Sequence, residues 1–303
     1  MEIVKDMSAV VTGAGGGMGR SIALALADAG VNVVVADIDA DAARIVGKEV
    51  AERGVKSIAV ATDVSKFEQV QALAERAYSE FGSIEILCNN AGVTLRPFRA
   101  SWDTSLEDYE WIMGINFKGV LHGHLAFVPR MRETPGKKHI VNTSSLATVV
   151  LASGHSAYNA SKAAVDAFSI TARKELAAQD IGVTLLHPGA VRTRIVTSER
   201  LRPVEEQSET RYVKPWSDYN SPGGNPLADK KPDQVEEPVN DPDTTDDVFT
   251  YITPKATGWL VLEAIRQNKQ HIMTHPVPNQ VQQGNADAIK AGNPNYSAFP
   301  GSK

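Results

Sequence analysis

The chain has 303 residues, 42% hydrophobic and 22% charged, with 31 Lys and Arg against 36 Asp and Glu and a single Cys. At about 150 residues per domain this suits one large or two small domains, with enough chain to bury a core unaided by disulfides or metals. One Cys excludes a disulfide framework and multi-cysteine metal sites, a net charge of −5 argues against a nucleic-acid surface, and no apolar run reaches the roughly 18 residues that span a bilayer.

Residues 8–12 form an apolar run leading directly into a Gly-rich turn, which predicts no secretory leader and, with one Cys, a cytoplasmic location. Residues 18–29 show helical periodicity and stop at Gly30. Residues 31–36 are a continuous β-branched run, the pattern of a strand covered on both faces. The cycle repeats with a helix over 40–53, a strand over 57–61, a helix over 66–81 and a strand over 84–88. A single helix over 106–131, a strand over 139–143, a helix over 156–178 and a strand over 182–187 follow. A last helix (257–267) and a short strand (270–274) close the pattern. Strands alternating with long helices predict a doubly wound parallel sheet with helices on both faces, in one domain over 1–275.

Charge and proline mark an interruption. Residues 203–254 hold 12 acidic and 4 basic residues and 8 of the 16 prolines. Proline at that density forbids long helices, so the stretch reads as an irregular acidic insert, either a functional lid, the favoured reading, or a disordered linker. The tail, 276–303, is rich in Pro, Asn, Gly and Gln and reads as irregular.

Thr12-Gly13-Ala14-Gly15-Gly16-Gly17-Met18-Gly19 falls between the first strand and the first helix. Glycines there let the backbone approach a pyrophosphate, which the N–H groups and dipole of the following helix attract. Asp37 ends the second strand, 18 residues after Gly19. A carboxylate there accepts from ribose hydroxyls and repels a 2′-phosphate. Position 16 is Gly, so no cation stands beside Gly17 to compensate a 2′-phosphate, and NAD is expected over NADP. Tyr158 and Lys162, at i and i+4, share one helix face. A nearby ammonium stabilises a phenolate and draws the phenol toward acid–base work near neutral pH.

Together these residues resemble the short-chain dehydrogenase/reductase family. Thr12-Gly13-x3-Gly17-x-Gly19 is similar to its cofactor motif, and Asn89-Asn90-Ala91-Gly92 to the motif that stabilises its central sheet. Asp63-Val64 is similar to its adenine-contacting pair, and Pro188-Gly189-Ala190-Val191-Arg192-Thr193 to the segment that touches nicotinamide. Tyr158-Asn159-Ala160-Ser161-Lys162 is close to its YxASK signature, Ser145 stands 13 residues before Tyr158, and Asn116 matches its fourth catalytic residue. The resemblance covers roughly residues 1–195 and implies a Rossmann-type fold and NAD-dependent hydride transfer on an alcohol or ketone. It implies that Ser145 orients the substrate oxygen, Tyr158 exchanges its proton and Lys162 lowers the Tyr158 pKa and binds the nicotinamide ribose. Asn116 is implied to hold a water linking Lys162 to solvent. The implied cofactor contacts are Gly13, Gly17, Met18, Gly19, Asp37, Asp63, Val64, Asn90, Ala91, Gly92, Tyr158, Lys162, Pro188, Gly189, Val191 and Thr193. Ser144 neighbours Ser145 but points to the opposite face if the strand is regular. A homo-oligomer, dimer or tetramer, is the family expectation; no metal, nucleic acid or membrane is expected.

His155, three positions before Tyr158, is a candidate substrate contact with Ser145 and Tyr158. Cys88 reads as a small buried hydrophobe. His122 and His124 do not converge on a metal and read as packing, as do most of Phe98, Trp102, Tyr109 and Trp111; His187 reads as structural. The long insert departs from short family members. With a short similarity over 119–131 to a branch from bacterial aromatic and lignin-fragment catabolism, it points to a bulky aromatic or polycyclic substrate. Two rivals remain: a halohydrin-dehalogenase-like lyase, which would lose the Gly turn and carry Arg for Lys162, and a catalytically silent nucleotide sensor.

Overall fold

A computed structural model of the chain describes residues 1–207, 242–247 and 250–277. Its first half is a run of strand–helix units: β1 (Ser8–Thr12), α1 (Gly17–Asp28), β2 (Asn32–Asp37), α2 (Ala40–Ala51), β3 (Ser57–Ala61), α3 (Phe67–Phe81) and β4 (Ile86–Asn89). The second half adds α4 (Leu106–Met113), α5 (Gly119–Glu133), β5 (Lys138–Thr143), α6 (Ser156–Leu176), β6 (Ile181–His187), α7 (Lys255–Gln267) and β7 (His271–Met273). Local chemistry sets several boundaries. Asp39 caps α2 by accepting from Asp41 N and Ala42 N, and Ser105 and Asp108 close a capping box on α4.

All seven strands are parallel, in the order β3-β2-β1-β4-β5-β6-β7. Alternate residues of each strand feed opposite faces. Ala9 and Val11 pack with α1, α2 and α7, whereas Val10 packs with α3, α5 and α6. Both faces are thus covered, which is why β2 reads Val33-Val34-Val35 without a polar alternation. The chain reverses its winding between β1 and β4, and a crevice opens at the carboxyl ends of strands at such a reversal.

One expected helix is in fact two. Between α4 and α5 the turn Gly114–Lys118 is π-helical, so the 106–131 periodicity runs through a widened turn. Asn116 lies buried within this turn: its Oδ1 accepts from Val93 N at 2.8 Å and its Nδ2 donates to Val93 O and Ser161 Oγ, both at 3.0 Å. The lid expectation for the insert falls mainly on 208–241 and 248–249, and the irregular tail on 278–303, outside the described residues. The insert's described end returns to the fold where Val191 and Ile252 form a parallel bridge.

Candidate active site

The crevice is a cleft of about 930 Å³. Its floor is the turn from β1 to α1. Gly17 has φ +51°, a conformation that glycine adopts without strain. Gly19 packs so closely that a Cβ would lie 2.1 Å from Gly13 O. Helix α1 begins at Gly16 with no side-chain cap, so its first-turn N–H groups face the cleft without a side-chain acceptor. The neighbouring Asn89–Gly92 stretch is sewn to this turn. Asn90 Nδ2 donates to Thr12 O at 3.0 Å, and Thr12 Oγ1 accepts from Asn90 N and Ala91 N at 3.0 and 3.2 Å. Thr12, which opens the glycine motif but is not among the implied cofactor contacts, is a positioning residue.

The implied cofactor contacts, from Gly13 to Thr193, all line this cleft, together with Ser145. Asn116 and His155 stand behind it. Asp37 Oδ2 accepts from Gly15 N at 2.8 Å, which fastens the end of β2 to the glycine turn.

Tyr158 and Lys162 lie on the first turns of α6, both buried. Lys162 Nζ donates to Thr143 O at 2.9 Å and stands 5.7 Å from the centre of the Tyr158 ring. Burial lowers the Lys162 ammonium to about 8, opposed by Asp166. Burial also raises the Tyr158 phenol above its usual value, and a hydrogen bond with Ser145 works against that rise. Desolvation is the larger of these two influences on the phenol, and the Lys162 ammonium is turned to the Thr143 carbonyl. Ser145 Oγ accepts from Ala147 N at 3.1 Å and donates to Pro188 O at 3.5 Å. Ser144 Oγ instead donates to Lys162 O; both serines lie just past the end of β5 and their hydroxyls take different partners. A Cβ on Gly92 would sit 3.2 Å from Asn116 Oδ1 and 3.4 Å from Lys162 Nζ, so residue 92 is closely flanked by both side chains.

His122 Nδ1 bonds Val64 O at 2.8 Å, and His124 packs edge-on against Phe168. His187 lies between the Ser145 carbonyl and His271. Cys88 is fully buried. Of the aromatic group, Phe98 is buried, Tyr109 OH bonds Ser156 Oγ and Trp111 carries the Arg202 guanidinium on its face. Trp102 is 76% exposed and is not helix packing, since it precedes the α4 cap on a surface turn. Arg202, which carried no sequence signal, is buried in a ring of alternating charge. It contacts Asp108 at 2.9 Å and Glu199 at 3.0 Å, while Arg99 contacts the same two carboxylates at 2.6 and 3.5 Å.

Fold and site together define a nucleotide-binding α/β enzyme, and the comparisons with known proteins give its family. Residues 7–203 match the short chain dehydrogenase family model, and the chain belongs to that family of oxidoreductases. It is 36% identical over 189 residues to 1-deoxy-11-beta-hydroxypentalenate dehydrogenase of Streptomyces exfoliatus, covering 62% of this chain and 69% of that one. It is 39% identical over 162 residues to the probable oxidoreductase EphD of Mycobacterium tuberculosis, 53% of this chain but only 27% of that longer protein. A Burkholderia phymatum short-chain dehydrogenase/reductase, solved in complex with NAD, superposes with a TM-score of 0.82 at 31% identity over the whole of both chains. Among the described residues no helix is long and apolar enough to cross a membrane.

Proposed function

We propose that the protein is an NAD-dependent alcohol dehydrogenase/ketoreductase acting on a bulky aromatic or polycyclic secondary alcohol or its ketone. The observation that carries this reading is the convergence of Ser145, Tyr158 and Lys162 on the same cleft as the glycine turn and Asp37. The uncapped start of α1 suits a pyrophosphate. Asp37 suits unmodified ribose hydroxyls and opposes a 2′-phosphate, which supports NAD over NADP. The Burkholderia neighbour's NAD is consistent with this. When bound, the nicotinamide supplies the hydride acceptor in oxidation and the donor in reduction.

In this mechanism Ser145 Oγ hydrogen-bonds the substrate oxygen and holds it toward Tyr158. The Tyr158 phenolate takes the hydroxyl proton in oxidation, and the phenol returns it in reduction. Lys162, a cation below about pH 8, stabilises that phenolate and donates to the nicotinamide ribose. The Asn116 side chain is spent on Val93 and Ser161, so its part in a proton relay falls to its main-chain carbonyl within the widened turn. The hydroxypentalenate named in the Streptomyces relative supports a large substrate. A cytoplasmic homo-oligomer, dimer or tetramer, completes the proposal. Exposed Leu125 on α5 and Trp259 on α7 support the oligomer.

The test is absorbance at 340 nm with NAD⁺ across aryl carbinols, β-aryl ethers, steroids and small polyols, with Tyr158→Phe as control. NADH formation with the bulky members, lost in Tyr158→Phe while NADH binding persists, is expected. Turnover of small polyols alone removes the substrate class. Unchanged turnover in Tyr158→Phe removes the mechanism.

A further inference from the structure

The segment after β6 carries two cations that the mechanism above leaves unused. Arg194 and Arg200 both line the cleft, as do Gly15, Gly16, Gly17 and Asp37. Among the described residues neither forms an ion pair, whereas Arg20 on α1 is tied to Glu49 at 2.6 Å. Arg200 Nη1 donates to Arg194 O and Thr197 O, each at 2.9 Å, and to Thr197 Oγ1 at 2.8 Å. Its guanidinium is thereby held on its own turn, and its other two nitrogens make no hydrogen bond among the described residues.

The segment abuts the glycine turn directly. A Cβ on Gly17 would lie 3.0 Å from the Thr193 methyl. Two anchors fix it further along: Ser198 Oγ accepts from Thr94 N at 3.2 Å, and Arg202 is locked between Asp108 and Glu199. Burial and Arg194 lower the basicity of Arg200, while Asp37 and Asp39 across the cleft oppose that. A guanidinium stays charged throughout.

Charge balance says what these two groups face. A pyrophosphate brings two negative charges. The start of α1 answers with a dipole equivalent to about half a positive charge, and one turn N–H, that of Gly15, is already given to Asp37. Lys162 is directed to Thr143 O. Lys66 and Lys118 line the cleft from the side of α3 and α5, where Val64 packs on Gly119. A full positive charge beside the turn therefore comes from the segment after β6.

We infer that Arg194 and Arg200 form the cationic half of the dinucleotide site and engage the pyrophosphate from the side opposite the glycine turn. The inference rests on the cofactor reading proposed above and gives a phosphate-binding role to a segment otherwise expected only to border the nicotinamide.

The experiment measures binding, not turnover. NADH and ADP-ribose contain the pyrophosphate and adenosine lacks it. Each is titrated calorimetrically into full-length wild type, Arg194→Ala, Arg200→Ala, the double Ala variant and the two Lys variants, at low and high salt. Each Ala variant is expected to weaken NADH and ADP-ribose about three- to ten-fold, as for loss of a charge-assisted bond, with adenosine unchanged. The Lys variants should recover much of the loss, and the Ala variants should show a shallower salt dependence. A double variant within about two-fold of wild type, as for screened surface charges, overturns the inference. Equal loss of adenosine also overturns it, since that reports the segment's fold and not its charge. A wild type that binds no NADH overturns the cofactor reading itself, and this inference with it.

Discussion

The imidazole of His155 lies flat against the phenol of Tyr158, with ring centroids 4.5 Å apart and planes 8° from parallel. Its Nε2 hydrogen-bonds Thr94 Oγ1 at 2.8 Å, and Phe98 packs against the same ring at 4.5 Å. Burial, helped by Arg96, pushes the imidazole down to about 3, so an uncharged plate fixes the plane of the phenol and keeps water from one of its faces. In the proposed mechanism this stacking would make His155, a candidate substrate contact from the sequence, a positioning residue that acts through Tyr158. Misplacing a reacting group by about 1 Å can cost a hundred-fold in rate. His155→Ala should therefore lower turnover about ten- to hundred-fold and leave NADH affinity unchanged, while His155→Phe, which keeps a ring, should recover most of it. Equal losses in both variants would assign the effect to the Thr94 bond instead.

Asp37 has two tasks that one substitution separates. Its Oδ2 holds Gly15 N and its Oδ1 holds Asp39 N, and in the proposed complex the same carboxylate receives the ribose hydroxyls. Charge-assisted hydrogen bonds contribute roughly 1.5–3 kcal/mol, so Asp37→Ala should weaken NADH binding by about ten-fold or more. It should weaken NADPH far less, because the repulsion of a 2′-phosphate disappears with the carboxylate. Parallel fluorescence titrations of both cofactors check this; an unaltered ratio removes Asp37 from the adenosine site.

The buried charge ring makes a prediction about stability. Asp108 lies between Arg99 and Arg202, and all three side chains are at most 2% exposed. Asp108→Asn keeps the shape but leaves two buried guanidinium groups facing a single carboxylate of the ring, that of Glu199. Breaking a buried pair on one side costs about 3–5 kcal/mol. Urea denaturation at pH 7 should show a loss of that order, against a far smaller change for Asp243→Asn, whose partner Lys255 is 82% exposed.

What the sequence made legible follows from how local each feature is. The glycine turn, Asp37 and the Tyr158–Lys162 pair rest on short spacings between regular elements, and all of them line the cleft. The break between α4 and α5 was not legible, because the helical periodicity continues through it, and Asn116 within it bonds Val93, 23 residues away in sequence. Arg99 and Arg202 look like ordinary surface arginines until α4 brings Asp108 between them. Trp102 misled in the other direction: aromatic content near a helix suggests packing, yet the residue lies on an exposed turn. Arg194 and Arg200 gave no sign at all, since their meaning depends on Thr193 lying against Gly17.

His139 on β5 should make the fold sensitive to acid independently of the active site. Its ring is 1% exposed, Nε2 bonds Thr184 Oγ1 at 2.8 Å, and burial pushes it down to about 3 from an ordinary value of 6.5. An unfolded imidazole takes up its proton near 6.5 and the folded one only near 3, so between those values the unfolded state binds more protons. Stability is therefore full above about 6.5, falls with falling pH by up to about 1.4 kcal/mol per pH unit, and levels off below the folded value. His139→Gln, which keeps a hydrogen-bonding group toward Thr184 without a titrating one, should start less stable at pH 7 but lose less between pH 6 and 4. Denaturation midpoints measured across that range in both proteins decide the matter: parallel slopes would mean that His139 is not the group whose protonation the fold resists.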